Sequence, residues 1–388
     1  MRMRKKCCPG AVKNVPMPIY LDNAAAVPCD PELMEFLLKC TRDYSGNQES
    51  MGFHGSRAAR EIRKASDDLR SAFGFDPSVR LFFGNTGTEV LALAAEAVCR
   101  TARRGEVLTT SLEHPALEFA LKRSCARHGM SLKVCPAGRY GVSLEKFESM
   151  VNEKTAAAAV HHVQSETGGI LDLRKIRDIL DRKAPGAILL TDTMQSIGKI
   201  PLALEARPDF TVLSGQKLGA PGGAVLFCSK KFGDTVHALR AAEHFGGRCP
   251  AAMLLTVARC GILAAEKQPE IRDHARKLKA VLLNALRKNG LAFPETLSGH
   301  PVSPFILHLL TAPYQGAILT RALHPYEIST APGSACESET PGGSPALTAM
   351  GFSKRDSFCG LRLSFWKTNT AAEMERFAEI LAECVRRY

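Results

Sequence analysis

The chain has 388 residues, 45% apolar and 23% charged, and its 51 Lys and Arg against 39 Asp and Glu give a net charge of +12. This is the composition of a globular protein and excludes disorder for the bulk of the chain; at about 150 residues per domain the length fits two domains. No apolar run approaches the ~18 residues of a membrane span, and the basic residues are dispersed rather than gathered into a stripe, so neither a membrane nor a nucleic-acid partner is expected.

In chain order, the stub Met1-Arg2-Met3-Arg4-Lys5-Lys6-Cys7-Cys8 is basic with no apolar region behind it. It does not read as a secretory signal, and a cytoplasmic location is expected. From about Asp30 to Val225 short apolar runs alternate with longer amphipathic stretches, the rhythm of an α/β domain with a mostly parallel sheet. Asp30 before Pro31 reads as a helix start, as does His114 before Pro115. The expected strands are 81–83, 106–110, 157–161, 188–191, 210–213 and 224–227, mostly apolar on both faces as buried parallel strands are. Helical segments from about Ala251 to Asn289, interrupted near Pro269, lead to a second region with strands at 305–310 and 361–365. The last helix opens on a capping box, Thr370 with Glu373, and its apolar stripe is Phe377, Ile380, Leu381, Cys384 and Tyr388. The expected architecture is therefore α/β: a large domain over 20–260 with a mostly parallel sheet flanked by helices, and a smaller α+β domain from 1–19 and 261–388.

Thirteen cysteines is an odd count at a density too low for a disulfide scaffold, so reduced thiols are expected. Apart from Cys7-Cys8, no two lie within nine residues, so the paired knuckle of a structural zinc site is absent and no metal is expected.

In an open parallel sheet, ligands bind beyond the carboxyl ends of the strands. Five successive connections there are polar: Gly84-Asn85-Thr86-Gly87-Thr88-Glu89, Glu113-His114, Gln164-Ser165-Glu166-Thr167-Gly168-Gly169, Asp192 with Gln195, and Ser214-Gly215-Gln216-Lys217. Each alone has an ordinary structural use: a plain turn, a helix cap, a surface loop. Lys217 differs, because a lysine directly after a buried strand between Gly215 and Gly219 has little reason to be there for stability; such a lysine is a candidate Schiff-base former. Together these groups match pyridoxal phosphate, which needs an amine, an acid for its ring nitrogen, a phosphate cup and a ring-stacking group.

At this point the chain resembles the group I cysteine desulfurases of the class V aminotransferase family, pyridoxal phosphate enzymes of fold type I. The resemblance runs through Ile19-Tyr20-Leu21-Asp22-Asn23-Ala24-Ala25, Gly46-Asn47, Glu113-His114, the stretch from Asp192 through Gln195 and Gly198-Lys199 to Pro201, Leu213-Ser214-Gly215-Gln216-Lys217, Gly333-Ser334-Ala335-Cys336 and Leu361-Arg362-Leu363-Ser364. It covers nearly the whole chain in order. It implies Lys217 as the cofactor-linked lysine, Asp192 as partner of the ring nitrogen, Gln195 at the phenolic oxygen, and His114 stacked on the ring and exchanging protons with the substrate thiol. It implies Gly87, Thr88, Ser214 and Gln216 at the phosphate, Ser165 and Arg362 at the substrate, and Cys336 as sulfur acceptor. Cys336 lies in a Gly/Ser/Pro-rich stretch from Ala331 to Pro345, suited to entering a cleft and leaving again. L-cysteine as substrate, a homodimer and an acceptor protein such as an iron-sulfur scaffold follow from the same resemblance.

Three positions depart from the family pattern. Gln216 replaces a histidine, Gln164-Ser165 replaces Asn-Asn, and Cys249-Pro250-Ala251 replaces the Ser-Gly-Thr that reaches the neighbouring subunit's phosphate. Ser165-Glu166-Thr167-Gly168 and Gln216-Lys217 also echo the aminotransferase branch. The alternatives are thus a transaminase or a cysteine or selenocysteine lyase on the same fold, or a degenerate homologue kept for partner binding.

Overall fold

The computed structural model describes residues 18–243, 249–333 and 343–388. In chain order the elements are β1 (Ile19–Tyr20), α1 (Pro31–Asp43), α2 (Phe53–Ala72), β2 (Arg80–Gly84), α3 (Gly87–Ala102), β3 (Glu106–Thr110) and α4 (Pro115–His128). Then come β4 (Ser131–Cys135), the small hairpin β5 (Ala137–Gly138) and β6 (Gly141–Val142), α5 (Leu144–Met150), β7 (Thr155–His161), α6 (Leu173–Lys183), β8 (Ile188–Asp192), β9 (Phe210–Ser214) and β10 (Ala224–Cys228). After α7 (Gly233–Glu243), the long helices α8 (Ala251–Glu266) and α9 (Gln268–Lys288) are followed by β11 (Ile306–Leu310), α10 (Gly316–Leu323) and β12 (Ile328–Ser329). The chain finishes with α11 (Pro345–Ala349), α12 (Lys354–Ser357), β13 (Gly360–Ser364) and α13 (Ala371–Arg387).

Seven strands form one sheet in the order β2-β10-β9-β8-β7-β3-β4. Only β10 runs against its neighbours, so the sheet is mostly parallel, as the near-continuous apolar runs predict. One face packs Phe82, Val107, Ala157, Leu190 and Val212 against Val90, Leu91 and Val98 of α3, Leu117 and Leu121 of α4, and Val236 of α7. The other face is covered twice: Phe83, Leu213 and Val225 meet Leu69 of α2 and Leu254 and Val257 of α8, while Leu108, Val160 and Leu189 meet Ile176 and Leu180 of α6. Every strand side chain of β8, β9 and β10 is buried.

A separate apolar cluster joins Ile19 and Leu21 to Leu278 and Leu282 of α9, Leu307 and Leu309 of β11, Leu361 and Leu363 of β13, and Met374, Phe377 and Leu381 of α13. There β11 and β13 pair antiparallel, a single bridge ties Asp22 to Ser364 of β13, and another ties Ala331, just after β12, to Arg362. The helix starts read from the sequence are present: Asp30 accepts from the Glu32 amide, and Thr370 and Glu373 form the reciprocal capping box. The helical run divides at Lys267, with Pro269 in the first turn of α9, where a proline's missing N–H costs nothing.

Two expectations need correction. Tyr388 was expected in the apolar stripe of α13, yet it lies beyond the helix end and is 58% exposed, its ring edge-on to Tyr314. The edge strand β4 was not expected: only Cys135 in it is buried, so Ser131-Leu132-Lys133-Val134 carries no core-strand pattern.

Candidate active site

The parallel strands deliver their carboxyl ends to one edge, and there a cavity of about 350 Å³ opens. It is lined from the connection after β2 by Thr86, Gly87 and Thr88, from the one after β3 by His114, from β7 by His161, from β8 by Asp192, and from β9 by Ser214, Gln216 and Lys217. Ser165, Gln195 and Arg362 complete the wall with Ala24 and Ala25. Every site residue expected from the sequence, Cys336 excepted, is thus brought to a single cavity. Cys336 lies outside the described residues, as do Cys7 and Cys8. A larger cavity of about 590 Å³ at the opposite edge is lined by Arg177, Asp181, Arg207, Asp209 and Lys231. Those five groups already form ion pairs with one another, Arg177 and Arg207 with Asp181 and Lys231 with Asp209.

Lys217 sits in a single 3-10 turn directly after β9, half-buried, and its Nζ donates to Ala24 O at 3.0 Å and to Ala25 O. The carbonyls of the Asp22–Ala25 turn therefore hold the amine at the cavity wall. Gln195 donates its Nε2 to the same Ala24 O at 2.8 Å, and its Oε1 accepts from Lys199 Nζ at 3.1 Å. Lys199 was part of a matched motif but had no assigned role. It is fully buried, and desolvation, with the nearby charges of Lys217 and Arg362 adding to it, lowers its pKa to about 7.

His114 is the N-cap of α4: its Nδ1 accepts from the Ala116 amide at 3.1 Å. An accepting Nδ1 fixes the neutral imidazole with its proton on Nε2. Burial, reinforced by Lys217 and Arg362, pushes its pKa down in the same direction. The carboxyl of Asp192 is buried at the end of β8 and is pushed up by desolvation; the Met194 amide, which donates to Oδ1 at 3.0 Å, and the two histidines His114 and His161 oppose that rise.

The loop after β2 ends in α3, whose N-cap Thr86 accepts from the Glu89 amide. Thr88 stands exposed in the first turn and Ser214 is buried opposite, where a Cβ added at Gly87 would come within 2.5 Å of Met194 Cε and 3.4 Å of Ser214 Cβ. The first turn of a 16-residue helix, two hydroxyls and a glycine that lets them close up make an anion cup. Gln216 is exposed at its rim.

Arg362, on β13 and 2% exposed, reaches across from the other core: Nη2 donates to Asp22 Oδ1 at 2.7 Å and Nη1 to Ser165 O at 3.0 Å. Its buried Nε has no hydrogen-bond partner among the described residues. Ser165 thus holds the guanidinium through its carbonyl. Gln164 is the hub of its own turn, its Oε1 accepting from the Glu166 and Thr167 amides and from Thr167 Oγ1. Glu166 Oε2 accepts from Ser344 Oγ at 2.6 Å, and a Cβ added at Gly333 would come within 3.2 Å of the same oxygen, so this carboxylate lies close to both Gly333 and Ser344.

These residues fit pyridoxal phosphate. An anion cup, a buried carboxylate, an amine held at the wall, a neutral ring-stacking imidazole and a guanidinium with an unmet donor are the groups the cofactor and an amino-acid carboxylate ask for. Sequence reasoning missed Asp22 as the clamp on Arg362, and it missed His161 and Lys199. Asp22 stood within a quoted motif, and the His161-His162 doublet ending an otherwise apolar strand was a signal for the second.

A family model described as aminotransferase class-V matches residues 19–250. Among curated proteins, a cysteine desulfurase of Trichormus azollae is 27% identical over 378 residues, spanning 95% of this chain and 93% of its own length. The cysteine desulfurase NifS of Azotobacter vinelandii is 25% identical over 367 residues, spanning 92% and 90%. Among solved structures, a NifS-like protein superposes with a TM-score of 0.84 at 25% identity, covering 96% of this chain and all of its own. A NifS-like protein from Rickettsia africae, at 21% identity and a TM-score of 0.82, shares the fold.

Proposed function

The chain belongs to the class-V aminotransferase family, and from that premise we propose that it is a pyridoxal phosphate-dependent cysteine desulfurase, converting L-cysteine to L-alanine and passing the sulfur to Cys336 as a persulfide. The observation that carries the reading is the convergence of Lys217, Asp192, His114, Ser214 and Arg362, from separate connections, on one cavity. The curated relatives, named as desulfurases over most of both chains, support it.

Bound through Lys217, the cofactor supplies an electron sink that acidifies Cα–H of the amino acid. Gly87, Thr88, Ser214 and Gln216 would hold its phosphate, Gln195 its phenolic oxygen and Asp192 its ring nitrogen. Arg362 takes the substrate carboxylate, with Asp22 and Ser165 O fixing the fork's direction. Lys217 Nζ would move the Cα proton. His114, held neutral with its proton on Nε2, would donate that N–H to the substrate sulfur as a hydrogen bond. The thiolate of Cys336 then attacks the substrate sulfur. An S–S bond forms, the Cβ–S bond breaks and its electron pair stays with the carbon skeleton, which takes up protons to become alanine. Cysteine plus a thiol gives alanine plus a persulfide, balanced without an outside reductant.

The division at residue 260 into a cofactor-binding domain and a smaller one carrying the acceptor stretch belongs to this proposal, supported by the separate cluster around α9, α13 and β13. So does a homodimer: Leu38, Met51 and Phe53 are 61%, 97% and 71% exposed along α1 and the start of α2, an apolar surface of the kind a second copy covers. A cytoplasmic setting and delivery of sulfur to an acceptor such as an iron-sulfur scaffold complete it. Among the described residues no helix is long and apolar enough to cross a membrane.

Incubation of the pure protein with L-cysteine and quantitation of alanine, pyruvate and sulfide tests the reading. Alanine in step with sulfur is expected. Pyruvate would replace it with a lyase or transaminase, and no turnover at all would favour a partner-binding homologue.

A further inference from the structure

Behind Asp192 lies a charge pair to which the mechanism gives no part. Glu113 follows β3, and its Oε1 accepts from Thr110 Oγ1 at 2.6 Å and from His161 Nδ1 at 2.9 Å. The two side chains are nearly sealed from solvent, 1% and 7% exposed. Glu113 Oε2 is buried with no partner among the described residues. An ionised carboxylate in such a place needs a cation, and a neutral one would leave a buried hydroxyl unbonded; the imidazole beside it answers the first need. His161 is also the register partner of Asp192 across β7 and β8. Side chains paired in this way stand on one face of the sheet, and both line the cavity. The three groups thus run in series from the loop after β3, through β7, to β8.

We propose that Glu113 holds His161 as an imidazolium and that His161 in turn holds Asp192 as a carboxylate, so that the site presents an anion to the ring nitrogen. The inference rests on the cofactor reading above and adds positioning residues to it. Burial by itself favours a neutral Asp192, and a neutral acid would hydrogen-bond an unprotonated ring nitrogen, the weaker electron sink. A cation on the far side of the carboxylate opposes that preference and favours leaving the proton on the cofactor. Glu113 and Asp192 raise the pKa of His161 against full desolvation; at Asp192, His161 opposes the rise that burial and the Glu113 charge produce. The neighbouring titratable groups are Glu113 and His114 from the loop before α4, Asp192 from β8, His162 just after β7, and Lys217 and Arg362 across the cavity. His162, pulled down to about 4 by burial and by the charge on His161, stays neutral and adds no competing cation near neutral pH.

The test is nitrogen NMR on the cofactor-loaded protein carrying labelled histidine and pyridoxal phosphate labelled at the ring nitrogen. Both His161 nitrogens should read as protonated at pH 7.5. In Glu113→Gln the His161 midpoint should fall by at least one pH unit, about ten-fold in proton affinity. In His161→Gln the ring-nitrogen signal should move toward the unprotonated position, and cofactor affinity should fall about ten-fold. A singly protonated His161 in the unaltered protein, which needs no variant to observe, overturns the proposal, as does an unmoved ring-nitrogen signal in folded His161→Gln. If the unaltered protein takes up no cofactor, the cofactor reading fails instead, and the His161 titration in that same sample still decides the state of the pair.

Discussion

Arg362→Lys separates a fork from a point charge at the place where the two cores meet. The guanidinium directs Nη2 at Asp22 (2.7 Å), Nη1 at Ser165 O (3.0 Å) and elsewhere a buried Nε that has no partner among the described residues. An ammonium on a flexible stem cannot serve three directions, so at least one charge-assisted bond is lost, worth ~1.5–3 kcal/mol. If the lost bond is the one to substrate, KM for L-cysteine rises about ten- to a hundred-fold, with kcat and cofactor affinity changed far less. Steady-state alanine formation gives KM, and urea unfolding followed by fluorescence of the single Trp366 reports whether the variant is intact. A KM within two-fold of the unaltered protein, in a variant of unchanged stability, would refute the assignment of the substrate carboxylate to Arg362.

Lys217→Ala should abolish the borohydride-reducible cofactor adduct while leaving the fold intact, as mass spectrometry and circular dichroism would record; an adduct persisting on another lysine would move the site. Gln216→His, restoring the donor that the family pattern has at this position, should tighten cofactor retention on dialysis by roughly ten-fold, the worth of one hydrogen bond to a charged group; unchanged retention would mean that the exposed amide already supplies the contact. His162 is 4% exposed, and burial and the charge on His161 lower its pKa to about 4. Because unfolding frees it to bind a proton near pH 6.5, its contribution is complete above that pH and is lost as pH falls toward 4, up to about 3 kcal/mol. His162→Asn should flatten the acid limb of a stability-versus-pH profile, and a limb as steep as before would place the loss elsewhere.

The parallel sheet was legible because its strands are buried on both faces and read as unbroken apolar runs, with 106–110 matching β3 end to end. Where burial stops, the signal stops: the edge strand β4 buries one residue of five, and β1 and β12 pair over two residues each. The site was legible from strand ends, since Asp192 directly follows an apolar run and His114 and Lys217 lie in the short connections just after two others. What sequence spacing could not carry was contact between distant segments. Asp22 and Arg362 are 340 residues apart, and the turn from Asp22 to Ala25 supplies the carbonyls that hold both Lys217 and Gln195. His161 escaped notice because a histidine at the end of a strand has no periodicity of its own. It gained meaning only when the register set it beside Asp192.

The central claim, transfer of sulfur from cysteine to one thiol, is tested most directly by a single turnover with sulfur-labelled L-cysteine in the unaltered protein and in Cys336→Ala, followed by peptide mapping under non-reducing conditions. The account predicts label on the peptide containing Cys336, one alanine per labelled sulfur, and, in the variant, the same spectral change on adding cysteine with neither label nor alanine. Release of labelled sulfide at an undiminished rate from Cys336→Ala would contradict it.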